Sequence, residues 1–177
     1  MDARGGALLD ERCLELAEGI VKRALAAGVT VGCAESCTGG LVSAAISHVS
    51  GSSAVLLGGI VSYDPRIKHE LLGVSSGILD DPALGPVSSE CAAQMATGAL
   101  AALSCDIAVS VTGIAGPTGA EPGKPVGTVW FGRASERGVT TECVRFEGGR
   151  EEVRSQACAH ALALIDEGIV ELGRARA

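Results

Sequence analysis

The sequence predicts an α/β fold in which a mixed β-sheet carries helices on both faces. Two observations predict it. Apolar periodicity yields elements in the order α-β-α-β-α-α-β-β-β-α, so helices separate the early strands while the late strands adjoin directly. No internal repeat or low-complexity linker divides the 177 residues, which therefore form one domain with short tails.

The elements follow in order. Asp10 caps a helix reaching Ala27; Cys13, Leu14, Leu16, Ala17, Ile20, Val21 and Leu25 form its apolar face, and Gly28 ends it. Val29 to Ala34 is a short apolar run of the kind found in buried strands. A helix over Gly39 to Val49 follows the turn Glu35-Ser36-Cys37-Thr38. Ser50 to Ser53 is a loop, and Ala54 to Tyr63 is a strand. Asp64-Pro65 starts a helix, with Asp at the cap and Pro at the first position, and Gly73 stops it after Leu72. Val74 to Gly85 is mixed. Ser88 caps a long helix through Leu103, and Asp106 to Thr112 alternates as a strand. Gly113 to Pro125 is a Gly/Pro loop. Val126 to Arg133 and Val139 to Phe146 form a hairpin about Ala134 to Gly138. A closing helix, capped by Gly149 or Arg150, spans Glu151 to Leu172, and Arg174 to Ala177 fray.

Composition narrows the function classes. Aromatic residues make up only 2%, so the core must be built from Ala, Val, Leu and Ile. A net charge of −7 with no Lys/Arg run argues against a nucleic-acid module that uses a basic face, though one local Arg or helix N-terminus can still bind a phosphate ester. The seven cysteines are odd in number, lack CxxC and sit in apolar patterns, which fits buried free thiols in a reducing compartment. His48, His69 and His160 are far apart, and no zinc spacing is present, so no metal is expected. Met1 to Gly6 lacks the pattern of a signal peptide, and no apolar stretch is long enough to span a membrane. A soluble cytoplasmic protein is the expectation, and exposed apolar helix faces would support a homodimer or higher homo-oligomer.

The turn Glu35 to Gly40 joins a strand to a helix N-terminus. Such a junction presents unpaired N–H groups and partial positive charge, and can hold an anion or oxyanion. Ser36 is the first candidate nucleophile there and needs a base. His48 lies along the following helix and points away. Of the three lysines, Lys22 is on a polar helix face and Lys124 is in a loop, whereas Lys68 follows a buried strand whose end carries the single tyrosine, Tyr63. A partly desolvated lysine can serve as a base near neutral pH, and a tyrosine can relay the proton. The alternative is that Tyr63 packs at a strand end and Lys68 is solvated. Cys37 competes as nucleophile, since a helix N-terminus lowers a thiol pKa; otherwise it is a packing residue. Gly113 to Pro117 lets the backbone approach a ligand, with the Thr112 hydroxyl beside it. Gly119 to Lys124 is one residue short of a phosphate-binding P-loop and has Pro125 in place of Ser or Thr, so that reading is rejected. Arg150 can bind a phosphate bidentately or be merely solvated.

Ala34-Glu35-Ser36-Cys37-Thr38-Gly39-Gly40-Leu41 resembles the hallmark of the CinA C-terminal domain family, which includes stand-alone nicotinamide-nucleotide amidohydrolases. Four further segments match in order: Gly51 to Ala54, Val61-Ser62-Tyr63 with Lys68, Thr112 to Pro117, and Lys124 to Trp130. Gly149-Arg150 to Gln156 fits as well. The resemblance implies a single three-layer α/β/α domain over residues 8–172, with tails at 1–7 and 173–177. It implies hydrolysis of the carboxamide of nicotinamide mononucleotide to nicotinate mononucleotide and ammonia, without metal or organic cofactor. The family's catalytic positions fall on Ser36, Tyr63 and Lys68. Thr38, Gly39, Gly40, Ser53, Thr112, Gly113 and Arg150 fall in or near the substrate site. Larger family members carry an N-terminal nucleotide pyrophosphatase domain that nothing in this sequence matches. Two alternatives stay open: a non-catalytic nucleotide- or partner-binding module, and an amidase for another small carboxamide. Glu35 is assigned no chemical step in this reading, and capping or bracing the turn is the use left open for it.

Overall fold

A computed structural model describes residues 9–176, so the tail expected at 1–7 lies outside the described residues. Helix α1 (Glu11–Ala27) leads into strand β1 (Val31–Glu35) and helix α2 (Leu41–His48). A 3₁₀ turn (Ser52–Ala54) precedes β2 (Leu56–Val61), followed by α3 (Pro65–Leu72), the short α4 (Ser76–Leu79) and α5 (Ser89–Leu103). Strands β3 (Ile107–Gly113), β4 (Thr128–Ser135) and β5 (Gly138–Arg145) then lead to α6 (Arg150–Arg176).

The caps read from sequence form. Asp10 accepts from the Cys13 N–H, Asp64 from the Arg66 N–H, and Ser88 from the Cys91 N–H. Gly28 and Gly73 close α1 and α3 in the left-handed conformation. Most boundaries move by a residue or two, and four differences matter. Glu35 belongs to β1 instead of opening the turn. The start of the expected second strand is the 3₁₀ turn, and the mixed segment holds α4. The last helix continues past Leu172 to Arg176, because its buried stripe of Ala161, Leu162, Ile165, Ile169 and Leu172 carries it along the sheet.

The five strands form one mixed sheet in the order β2-β1-β3-β4-β5. β1 is parallel to both β2 and β3, whereas β3-β4 and β4-β5 are antiparallel. Helices α1, α2 and α6 bury one face around Ile20, Ile46, Val109, Phe131 and Leu162. Helices α3, α4 and α5 bury the other around Leu72, Met95, Ala34 and Ala108. The architecture is three layers, α/β/α. No helix among the described residues is long and apolar enough to cross a membrane.

Two packing details set the site. The register Val61↔Glu35↔Val111 places the residues that follow, Ser62, Ser36 and Thr112, side by side where the parallel strands end. Helix α3 also lies unusually close to α5: a Cβ on Gly98 would stand 1.9 Å from the Leu72 carbonyl oxygen. Gly98→Ala is therefore expected to push α3 off α5 and to lower stability by about 1–3 kcal/mol, the cost of overpacking. Urea unfolding of the variant against the parent chain measures it.

Candidate active site

Three chain segments meet at the carboxyl ends of β1, β2 and β3, the edge at which open α/β sheets bind ligands. Ser36 leaves β1 with its N–H bonded to the Val111 carbonyl at 2.9 Å, and the Ser62 N–H donates to the Glu35 carbonyl at 2.8 Å. Helix α3 turns back and delivers Lys68 into this junction. Its side chain is only 1% exposed. Lys68 Nζ donates to Ser36 Oγ at 2.8 Å and to the Ser62 carbonyl in a short bond. Burial lowers the Lys68 pKa from the ordinary lysine value, opposed by the nearby Cys91, Cys37 and Asp64. The Ser62 carbonyl and the Ser36 hydroxyl thus hold the Lys68 amine between them.

Ser36, Cys37, Tyr63, Lys68, Thr112, Gly113 and Arg150 line one cavity of ≈ 260 Å³ with Pro65, Pro86, Val87 and Ala115. Tyr63 stands at the mouth, 59% exposed. Its hydroxyl accepts from Arg150 Nη2 at 2.9 Å, and among the described residues no hydrogen bond joins it to Ser36 or Lys68. Arg150 opens α6 and also donates to the Gly116 carbonyl at 3.0 Å, which holds the guanidinium over the rim. The Thr112 hydroxyl donates to the Pro86 carbonyl at 2.6 Å, so only its lone pairs remain for a ligand. Ser53 is not at this edge. It sits in the 3₁₀ turn entering β2, at the opposite end of that strand from Tyr63. His48 ends α2 away from the cavity.

The helix N-terminus is not the open anion site the sequence suggests. The Glu35 carboxylate, 0% exposed, reaches under the turn and accepts from the N–H groups of Gly40 (2.9 Å), Val42 (3.1 Å) and Ser43 (2.9 Å), and from the Ser43 hydroxyl (2.7 Å). The anion at the start of α2 is the protein's own. Gly39 N–H is spent on the Ser36 carbonyl at 3.1 Å. Gly39 and Gly40 thus shape the turn, with φ of 63° and 99° that side chains resist, and their N–H groups are not free for an external anion. The expected activation of Cys37 is reversed for a related reason. Burial, with the Glu35 charge adding to it, outweighs Lys68 and the local N–H groups, and holds the thiol up at about 12.

Arg154 of α6 was not singled out by sequence reasoning. Nε donates to the Cys37 carbonyl at 3.1 Å and Nη2 to the Thr38 carbonyl at 2.9 Å. Its only sequence signal is its place one turn after Arg150. No group of three or more His, Cys, Asp or Glu able to hold a metal ion occurs among the described residues.

With this geometry in place, comparison with known proteins identifies the lineage. The CinA C-terminal domain family model matches residues 14–169. This chain belongs to the CinA C-terminal domain family. It is 49% identical over 154 residues to the nicotinamide-nucleotide amidohydrolase PncC of Enterobacter agglomerans, covering 86% of this chain and 93% of that one. It is 44% identical over 158 residues to the protein of the same name from Escherichia coli strain K12, covering 88% and 93%. Among solved structures, the competence/damage inducible protein CihA of Agrobacterium tumefaciens superposes with a TM-score of 0.87 at 38% identity, covering 92% of this chain and 98% of that one.

Two stability effects follow. Glu35→Ala leaves three buried or half-buried N–H groups without a partner and is expected to cost at least about 3 kcal/mol, at 1–3 kcal/mol per orphaned group; chemical denaturation measures it. Lys68→Met fills the same space without a charge to desolvate, so it should be at least as stable as the parent chain. Because the folded-state pKa of Lys68 is lowered, burial of its charge destabilises fully below that pKa, and the penalty fades as pH rises toward the unfolded value. The advantage of Lys68→Met should therefore be largest at low pH and shrink on the alkaline side. An advantage constant with pH would contradict the assignment.

Proposed function

We propose that this chain is a nicotinamide-nucleotide amidohydrolase, converting the carboxamide of nicotinamide mononucleotide to a carboxylate and ammonia through a serine nucleophile and a lysine base. The observation that carries the mechanism is the 2.8 Å contact between buried Lys68 Nζ and Ser36 Oγ, with the Ser62 carbonyl fixing the amine. The substrate comes from the named relatives, which align over almost their whole length.

The steps balance as acyl transfer. Neutral Lys68 takes the Ser36 hydroxyl proton as Oγ attacks the carboxamide carbon, and the carbonyl oxygen becomes an oxyanion. The Lys68 ammonium returns that proton to the nitrogen. The C–N bond breaks, ammonia leaves, and a Ser36 ester remains. Lys68 then removes a proton from water as its oxygen attacks the ester carbon; the ammonium returns that proton to Ser36 Oγ as the ester C–O bond breaks, and the acid formed ionises to the carboxylate. Thr112 accepts a hydrogen bond from the substrate. Arg150 meets the phosphate at the rim, and Tyr63, already bonded to Arg150, lines the approach. Tyr63 enters this scheme as a mouth residue and not as the proton relay, because its hydroxyl points to Arg150. A buried thiol at about 12 supports Ser36 over Cys37 as the attacking atom.

Ammonia release from nicotinamide mononucleotide, with nicotinamide and an unrelated small amide alongside, tests the reading. Ser36→Ala and Lys68→Met should each lose about 10⁴-fold or more in kcat while staying folded, as removal of a nucleophile or its base does in other serine hydrolases. The kcat/KM profile should rise with pH to a plateau whose apparent pKa lies below the ordinary lysine value. Release from the unrelated amide at an equal rate would shift the assignment to another carboxamide. No release from any of them would favour a binding module.

A further inference from the structure

The oxyanion of that reaction needs N–H donors beside Ser36, and most donors of the turn are already spent. Gly40, Val42 and Ser43 donate to Glu35, Gly39 donates to the Ser36 carbonyl, and Ser36 donates to Val111. Among the described residues, three N–H groups of this stretch have no such partner, those of Cys37, Thr38 and Leu41, and the first two adjoin Ser36. The N–H groups of Cys37 and Thr38 lie near the Cys37 sulfur, a weak acceptor that an oxyanion would displace.

The planes of both peptides are pinned from the carbonyl side. In a trans peptide C=O and N–H point in opposite directions, so holding one aims the other. The Ser36 carbonyl is held by Gly39 N–H, which aims the Cys37 N–H. The Cys37 carbonyl is held by Arg154 Nε, which aims the Thr38 N–H. Helix α6, which carries Arg154, packs on the sheet face opposite to α3 and Lys68. The Thr38 N–H is directed away from Arg154, and Cys37, whose carbonyl shares that peptide, lines the cavity beside Ser36 and Lys68. Among the described residues Arg154 has no carboxylate partner; its two bonds go to main-chain carbonyls of this turn. A guanidinium on a carbonyl also polarises the peptide and strengthens its N–H as a donor. Its positive charge lies on the turn that carries Ser36, beside the place where negative charge develops.

We propose that the Cys37 and Thr38 N–H groups form the oxyanion hole and that Arg154 is the positioning residue that sets and polarises it. The proposal rests on the amidohydrolase reading for its substrate but not for its test. Arg154 touches no reacting atom; it acts through the Cys37-Thr38 peptide.

Two assays on the full chain decide it. In the first, kcat and KM for nicotinamide mononucleotide are measured for Arg154→Ala, Arg154→Gln and Arg154→Lys, with and without added guanidinium ion. Arg154→Ala should lose on the order of 100-fold in kcat, as loss of an oxyanion donor does, with KM changed less than about twofold. Lysine should recover part of the loss, and millimolar guanidinium should raise the alanine variant alone. In the second, a small fluorophosphonate labels Ser36 and mass spectrometry follows the rate. That reaction uses the same nucleophile and oxyanion donors without the nucleotide, so Arg154→Ala should label at least about tenfold more slowly.

A loss confined to KM, or labelling at the parent rate, overturns the proposal. So does a kcat loss in Arg154→Ala that guanidinium leaves untouched while the thermal midpoint falls, since that pattern belongs to a structural residue. Arg154→Gln keeps one donor to a carbonyl and supplies the same readings should the alanine variant not fold. Should the parent chain release no ammonia yet label fast, with the Arg154 variants slow, the substrate reading fails and the oxyanion hole stands. A parent chain that does neither overturns both.

Discussion

The buried Glu35 carboxylate is the constraint around which the catalytic edge is arranged. A charge with no solvent contact survives inside a protein only when its lone pairs are fully used, and Glu35 uses them on three N–H groups and one hydroxyl. This joins the end of β1 to the start of α2 through the side chain as well as the backbone. The intervening turn, Ser36 to Gly39, is thereby held at both ends. It also cancels the positive end of the α2 dipole from beneath, so a buried N-terminus with a Gly cap and no capping side chain of its own is stable. Any electrostatic help for the proposed reaction must then come from elsewhere, and among the described residues the guanidinium bonded to the turn belongs to α6.

Opposite Glu35, Lys68 brings the complementary cost. For a lysine 1% exposed, the loss of water outweighs the support that Cys91, Cys37 and Asp64 give its positive form. The fold accepts this because α3 is clamped to α5 at Gly98 and capped by Asp64 at its start. The two buried ionisable groups differ in use: the carboxylate fixes the turn, and the amine is the base of the proposed reaction. The sheet makes the pairing possible, since a central β1 parallel to both neighbours ends between two strands that end at the same edge.

Local features of the fold were readable wherever a single residue decides them. Asp10, Asp64 and Ser88 cap helices at the positions their side chains dictate, and Gly28 and Gly73 end helices because only glycine adopts the left-handed cap cheaply. The segments 52–54 and 76–79 were misread. Each is a single turn, too short for a hydrophobic period, and is held by tertiary neighbours. At the site, Ser36 and Lys68 were legible as a candidate nucleophile in a Gly-rich turn and a lysine behind a buried strand, although their contact was not. Ser53 shares the chain's motif pattern yet lies at the far end of β2, because a strand carries its two ends apart by about 3.3 Å per residue. Cys37 looked activated from its place at a helix N-terminus, and burial together with a carboxylate beneath it reverses that.

The sequence by itself determined the succession of helices and strands, their caps, and the turn that exposes Ser36. These depend on interactions within a few residues, which periodicity and side-chain chemistry express directly. Only the tertiary structure decided which lysine meets that serine, where the Tyr63 hydroxyl points, what Glu35 does, and that Arg154 holds the turn from α6. Each of these joins groups through the register of a parallel sheet or the packing of a helix on it. Side chains that meet 32 or 116 residues apart leave no local period to read.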